Sequence, residues 1–209
     1  MQQVVTGPYD DGYSACDYFW GKKPAAYVQC AARLLRGIDD ARVLDLGCGD
    51  GKNSSYLASL GMSVLAVDMS RIAIDNARRQ WTITGGKIDW KVADMRTFAM
   101  TESTYDLIVS TGSLHCLKSI DEAIAVVHKI QNGTKVNGLN VIYAFNDGEQ
   151  DLTGHQESFR PLLLPHNTYT QLYSGWDLLE VTDLVQEDSH PHTRVIHRHS
   201  ITRLFARKR

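Results

Sequence analysis

The densest chemistry in the sequence lies in VLDLGCGDGKNSSYLASLG, Val43 to Gly61. An apolar run ends at Asp45, and Gly47, Cys48, Gly49, Asp50 and Gly51 follow before a helical pattern begins. Glycines permit a tight turn and let a ligand come close to the backbone. The helix N-terminus behind them offers free N–H groups to a polar or anionic group. A dinucleotide fingerprint sets its third glycine three places after the second. Here Gly51 stands two places after Gly49, and Asp45 precedes the first glycine. A carboxylate there repels a pyrophosphate but attracts an ammonium. A P-loop is excluded, because no GxxxxGK[ST] occurs. Cys48 reads as a small filler of the loop rather than a nucleophile.

A second concentration of reactive residues falls at the other end, where His190, His192, His197 and His199 lie within the last twenty residues. Imidazole is a common ligand for zinc and its neighbours. Alternation along a strand puts His197 and His199 on one face and Arg198 on the other. Apart from Glu187 and Asp188, no acidic or cysteine ligand stands near, and no metal is assigned. Exposed strand residues and a substrate-site role remain the other readings of the four histidines.

The elements that must position these residues alternate. Pro24 opens a helix over Pro24–Arg36, since proline suits a first turn. Arg42–Leu46 is a buried strand, Lys52–Leu60 a helix stopped at Gly61, and Ser63–Val67 a second strand closed by Asp68. Ser70 caps a helix over Arg71–Gln80. Ile88–Val92 and Tyr105–Ser110 are the third and fourth strands. A helix spans Ser119–Ile130, and Leu139–Phe145 is the fifth strand. This alternation predicts parallel βαβ units in a doubly wound α/β sheet. Asp177–Gln186 and Arg194–Arg207 lie too close in sequence for a parallel crossover. They predict a terminal hairpin and one reversed strand in a mostly parallel sheet.

Composition is that of an ordinary globular chain, 43% hydrophobic and 22% charged. Its 209 residues suit one domain. The net charge of −2 offers no basic field to nucleic acid or an anionic membrane. No apolar run reaches the ~18 residues of a membrane span. The N-terminus has no signal-peptide pattern, and Cys16, Cys30, Cys48 and Cys116 show no CxxC spacing. Reduced thiols in a cytoplasm are expected.

The pattern Asp45-x-Gly47-x-Gly49-x-Gly51 resembles motif I of the class I S-adenosylmethionine-dependent methyltransferases. The resemblance implies a Rossmann-like, seven-stranded, mostly parallel sheet with an antiparallel strand at the C-terminus. Residues 1–209 would form a single domain, with 1–23 an aromatic lid segment and 176–208 the terminal hairpin. It also implies a site. Asp45, Gly47, Cys48, Gly49, Gly51 and Asn53 would hold the amino-acid portion. Asp68 matches the acid that takes the ribose hydroxyls, as a carboxylate accepting two hydrogen bonds can. Asp94, in Val92-Ala93-Asp94-Met95, matches the residue near the adenine amino group, with Met69 and Met95 as apolar flanks. Ser110, Thr111 and Gly112 would lie along the methionine moiety.

The segment Gly49-Asp50-Gly51-Lys52-Asn53-Ser54-Ser55-Tyr56-Leu57 is similar to the tellurite-resistance methyltransferases. So are Trp176–Glu180 and the tail His197-Arg198-His199 with Thr202–Lys208. The absence of Asn/Asp-Pro-Pro-Tyr after the fourth strand argues against a DNA methyltransferase. The resemblance implies S-adenosyl-L-methionine as cofactor, S-adenosyl-L-homocysteine as product, and a small acceptor such as tellurite, selenite or another metabolite. A soluble monomer or homodimer is expected, without nucleic-acid or membrane partners. Tyr13, Tyr18, Phe19, Trp20 and Gly21 either staple the first helix or form a lid whose aromatic faces attract the sulfonium. His190 or His192, with Arg194 or Arg198, match a family histidine and arginine at the acceptor. His115 and Asn146 are further polar candidates. Three rivals stand: cleavage of the aminobutyrate chain with release of methylthioadenosine, non-catalytic binding of the same cofactor, and an oxidoreductase. Glycine spacing and Asp45 disfavour the last.

Overall fold

The structure, a computed structural model, describes residues 9–83, 86–189 and 194–209. Seven strands form one sheet: β1 (Arg42–Leu46), β2 (Ser63–Asp68), β3 (Lys87–Val92), β4 (Tyr105–Thr111), β5 (Thr134–Gln150), β6 (Asp177–Ser189) and β7 (Ile196–Arg207). Their order is β3-β2-β1-β4-β5-β7-β6. Pairings among β1 to β5 are parallel, and β7 runs antiparallel to both β5 and β6. The expected single reversed strand is β7.

Apolar residues on successive strand positions feed opposite faces. Val43, Leu107, Val109, Val141 and Phe205 pack on one side with Val28 and Ala31 of α2 (Ala26–Leu34) and Leu57 of α3 (Lys52–Ser59). Leu44, Ile108, Ile142 and Leu204 pack on the other with Val126, Val127 and Ile130 of α5 (Ile120–Gly133) and Tyr169 of α6 (His166–Leu172). Two covered faces explain why the central strands read as continuous apolar runs rather than alternating ones. Ser70 caps α4 (Arg71–Gln80) as expected, its Oγ accepting from the Ala73 N–H at 3.0 Å. Ser119 caps α5 the same way.

Four features depart from the sequence reading. The N-terminal segment holds a short helix, α1 (Asp10–Ala15), packed on α4. β5 continues past Phe145 to Gln150, through an irregularity, and there pairs with His199 of β7. α6 was not expected, and β6 runs on to Ser189. No helix among the described residues is long and apolar enough to cross a membrane.

Candidate functional site

Chain order reverses between β1 and β4, and the carboxyl ends of the strands on either side open a crevice, the usual place for a ligand in such sheets. A cavity of about 780 Å³ occupies it, within the range of small-molecule sites. Of the residues singled out by sequence, Gly47, Cys48, Gly49, Asn53, Asp68, Met69, Ala93, Asp94, Met95, Thr111, Gly112, His115 and Trp20 line it.

The glycine loop is built to approach a ligand with bare backbone. Gly47 and Gly49 have φ of +76° and +54°, and a Cβ on Gly47 would meet Ser113 Cβ at 2.3 Å. The loop is tied to β2 by Asp68. Asp68 Oδ2 accepts from the Gly49 N–H and Oδ1 from the Ser70 N–H, both at 2.8 Å. Burial raises its pKa, and these two bonds partly offset the shift. Each oxygen retains acceptor capacity toward the cavity. Asn53 joins the loop helix to both flanks, accepting from the Ala25 N–H and donating to Thr111 Oγ1, at 2.9 Å each.

On the β3 side, Arg96 clamps Asp94, with Nη2 2.6 Å from Oδ2 and Nε bonded to both oxygens. The guanidinium holds the Asp94 carboxyl below its usual range. Lys129 Nζ donates to the carbonyls of Met95, Arg96 and Phe98, which fixes the loop that carries Met95, one of the two apolar flanks.

The N-terminal segment is both staple and wall. Tyr9, Tyr13, Phe19 and Trp20 line the cavity in edge-on contacts, with Phe19–Trp20 centroids 4.6 Å apart and Tyr9–Trp20 5.0 Å. Trp20 Nε1 donates to Tyr13 Oη at 2.8 Å, and Lys52 Nζ donates to the Trp20 carbonyl at 3.1 Å. Tyr18 is turned away. Its hydroxyl donates to the Gln80 carbonyl and its ring meets Trp81.

Other expected residues sit behind or outside the wall. Asp45 is fully buried beneath the loop, its Oδ2 accepting from Ser54 Oγ at 2.6 Å, and burial pushes its pKa up to about 6. Ser110 is buried against Ser113. Gly51 turns into α3 against Trp90. Asn146 is engaged by Asp183, Thr202 and the Gly148 N–H, a joint between β5, β6 and β7 rather than a group facing a ligand. Arg198 is exposed, 3.5 Å from Glu187 and away from the cavity, because strand alternation points it opposite to its histidine neighbours. His197 and His199 are each 1% exposed, which overturns the reading of them as exposed strand residues. His190 and His192 lie outside the described residues.

His115 does reach the cavity. Its Nδ1 accepts from the Phe145 N–H at 3.2 Å, which leaves the proton on Nε2. Burial pushes its pKa down to about 3. His115 is therefore a neutral ring on the wall, its Nε2–H buried and without a hydrogen-bond partner among the described residues. Burial pushes the Cys116 thiol up to about 12 and that of Cys48 well up, so neither is a thiolate at neutral pH. Sequence reasoning missed Tyr9, Tyr143, His155, Gln186, Asp188 and Arg203, all on the wall. The cue for Arg203 was alternation in β7, which sets it on the other face from Thr202 and Leu204. Nothing local marked His155, which lies in the connection after β5.

Comparison with known proteins gives a consistent picture. The family model described as tellurite resistance protein TehB matches residues 16–194. The probable S-adenosyl-L-methionine-dependent methyltransferase TehB of Haemophilus influenzae is 29% identical over 150 residues, 72% of this chain and 51% of that protein. A ubiquinone biosynthesis O-methyltransferase of Parvibaculum lavamentivorans is 26% identical over 125 residues, 60% of this chain and 48% of its own length. This chain spans about half the length of the curated relatives it matches. The solved structure of TehB from Haemophilus influenzae superposes with a TM-score of 0.69 at 24% identity, covering 88% of this chain and 62% of that one. A TehB-like methyltransferase from Corynebacterium glutamicum gives 0.59 at 20% identity, covering 88% and 89%.

Proposed function

The chain belongs to the TehB family, and from that premise we propose that it is an S-adenosylmethionine-dependent methyltransferase acting on a small acceptor of low pKa, a chalcogen oxyanion such as tellurite or selenite being the first candidate. The observation that carries the reading is the glycine cradle held against Asp68 at the mouth of a cavity that continues into an aromatic chamber. The cradle fits the group, since its bare backbone admits close approach where a side chain would clash. When bound, S-adenosylmethionine supplies an electrophilic methyl carbon on a good leaving group.

The chain's own residues then have to position and desolvate. Asp68 accepts from the two ribose hydroxyls with the lone pairs its backbone bonds leave over. Asp94, fixed by Arg96, accepts at the adenine edge between Met69 and Met95. Asp45 acts through its field from beneath the loop, favouring an amino group above it. Tyr9, Tyr13 and Trp20 line the chamber with aromatic rings, whose faces attract a cation and whose bulk excludes water. His115 contributes an uncharged ring on the acceptor side. His115 is too weak a base and Cys116 keeps its proton at neutral pH, so neither deprotonates an acceptor, which favours one already ionised.

Incubation with S-adenosylmethionine and a panel of tellurite, selenite and thiols, followed by mass spectrometry of the adenosyl product, tests the reaction. S-adenosylhomocysteine formed only with an acceptor is expected. Methylthioadenosine alone would move the chemistry to the aminobutyrate chain, and binding without turnover would leave a sensor. Asp68→Ala should weaken S-adenosylmethionine by about a hundredfold in calorimetry, since two bonds to a charged acceptor are lost at ~1.5 kcal/mol each. Unchanged affinity would refute the pocket assignment.

A further inference from the structure

The acceptor end of the cavity holds a group of side chains that the methyl-transfer reading leaves unused. His155, from the connection after β5, meets His197 and His199 of β7, and one ligand atom of each lies within 4.8 Å of the others. The three rings stand mutually edge-on, with centroids 5.1, 5.0 and 4.9 Å apart and interplanar angles of 74°, 66° and 72°. A four-coordinate ion with metal–nitrogen bonds of about 2.0–2.1 Å sets its ligand nitrogens roughly 3.3 Å apart and the imidazole centroids roughly 5 Å apart. The closest nitrogen pair, His155 Nε2 and His199 Nε2, is 3.0 Å apart.

The protons of two rings are placed by their outer partners. Gln150 Nε2 donates to the carbonyls of Asn146 and Ser200, at 2.9 and 2.8 Å, so the Gln150 amide orientation is fixed. Gln150 Oε1 therefore faces His199 Nδ1 at 2.9 Å and must accept from it. His197 Nδ1 faces the Val195 carbonyl at 2.8 Å and must donate likewise. Both rings thus keep Nε2 as the basic nitrogen, the state a metal requires, and an N–H donated to an oxygen is the usual outer partner of a metal-bound histidine. In its other neutral tautomer His155 turns a basic Nε2 toward them. Phe145 stacks on His199 at 4.1 Å and Phe159 on His155 at 4.8 Å, which holds the rings in a low-dielectric setting. Gly154 makes the approach possible, since a Cβ there would lie 2.3 Å from His197 Nδ1.

We propose that His155, His197 and His199 form a binding site for one divalent transition-metal ion of the zinc type at the acceptor end of the cavity. Three imidazoles leave such an ion one further position, for water or an anion. Of the three, His155 lines the cavity, so the site borders the chamber where an acceptor is expected. The proposal stands independently of the methyltransferase reading, because its test is metal binding itself.

The test uses the full chain without an affinity tag, stripped with chelator and titrated with Zn²⁺ by calorimetry and with Co²⁺ by visible absorption. One Zn²⁺ per chain at micromolar affinity or better is expected, with the intense visible bands of four-coordinate Co²⁺. His155→Ala, on a half-buried connection where folding is not at stake, should weaken Zn²⁺ at least a hundredfold. Gln150→Leu, which keeps all three ligands, should weaken it about 10–100-fold. His128→Ala, at an exposed position of α5, should leave it unchanged. Absence of stoichiometric Zn²⁺ binding by the parent chain, or parental affinity in His155→Ala, would overturn the proposal. S-adenosylmethionine affinity measured in the same samples keeps the two readings apart.

Discussion

Asp45 is held as a charge where charge is costly. Burial beneath the glycine loop raises its pKa to about 6, offset in part by Ser54. An acid whose folded pKa exceeds its unfolded value of 3.8 destabilises the fold above the folded pKa, and the penalty fades as pH falls through that window. Asp45→Asn keeps the shape and can still accept from Ser54. It should raise unfolding stability by roughly 1–3 kcal/mol at pH 8, with the gain over the parent closing as pH falls from about 6 toward 4. His115 contributes the opposite slope, since its pKa is depressed to about 3 and acid must charge a buried neutral ring. That slope is common to both proteins and cancels in the difference. Denaturant titrations at pH 8 and pH 4.5 measure it, and a gain independent of pH would show that burial is not the cause. The proposed function supplies a reason to keep the charge: the same substitution should weaken binding of an amino-bearing cofactor. Residue types and spacing made the cradle and its acids legible. The field beneath the cradle was legible only as a contact, because sequence shows that Asp45 is near the ligand but not that a layer of backbone intervenes.

At the scale of elements, the parallel strands were legible because both their faces are buried and each is a short apolar run. α6 was not, since His166–Leu172 buries Tyr169 fully but is otherwise polar or only half-buried. The end of β5 was hidden for a related reason. Beyond Phe145 it leaves β4, bridges Leu164 only through Asn146 and pairs with β7 across an irregularity, and its residues Asn146 to Gln150 carry no apolar signal. That polar extension brings Gln150 to His199, and the connection after it brings His155. A site whose ligands come from residues over forty positions apart leaves no local motif. The N-terminal element was legible in its aromatics but ambiguous in role, and the structure shows it packed on α4 and lining the cavity. Asn76 donates to the Tyr13 carbonyl at 2.7 Å, which anchors the segment on α4, while Trp20 faces the cavity. A wall of this kind should tighten when the cavity fills. Amide exchange over Asp10–Gly21 is expected to slow on saturation with S-adenosylmethionine, and Trp20→Ala should raise its KM about tenfold. Unchanged exchange would mean that the segment is a staple alone.

Across the whole molecule, the sheet divides the cavity between two sets of strands. The carboxyl ends of β1, β2 and β3 carry Asp68, Asp94 and the glycine loop, while β6, β7 and the connection after β5 carry the histidine trio, Asp188 and Arg203. β4 runs between them and contributes Thr111 and the turn that holds His115. The reversal of β7 brings this about: running antiparallel between β5 and β6, it enters the sheet at the cavity edge with His197 and His199 in its first residues. Two ligands bound by separate strand sets should stabilise the fold separately. A ligand at a hundred times its Kd adds about 2.7 kcal/mol, which for a chain of this size raises Tm by roughly 5–10 °C. S-adenosylmethionine and Zn²⁺ should each give such a shift, and their effects should add when both are present. Asp68→Ala should abolish the first shift and preserve the second, and His155→Ala should do the reverse. Loss of both shifts in either variant would mean that the halves are not independent. The metal would then have to be placed with the donor rather than beside the acceptor.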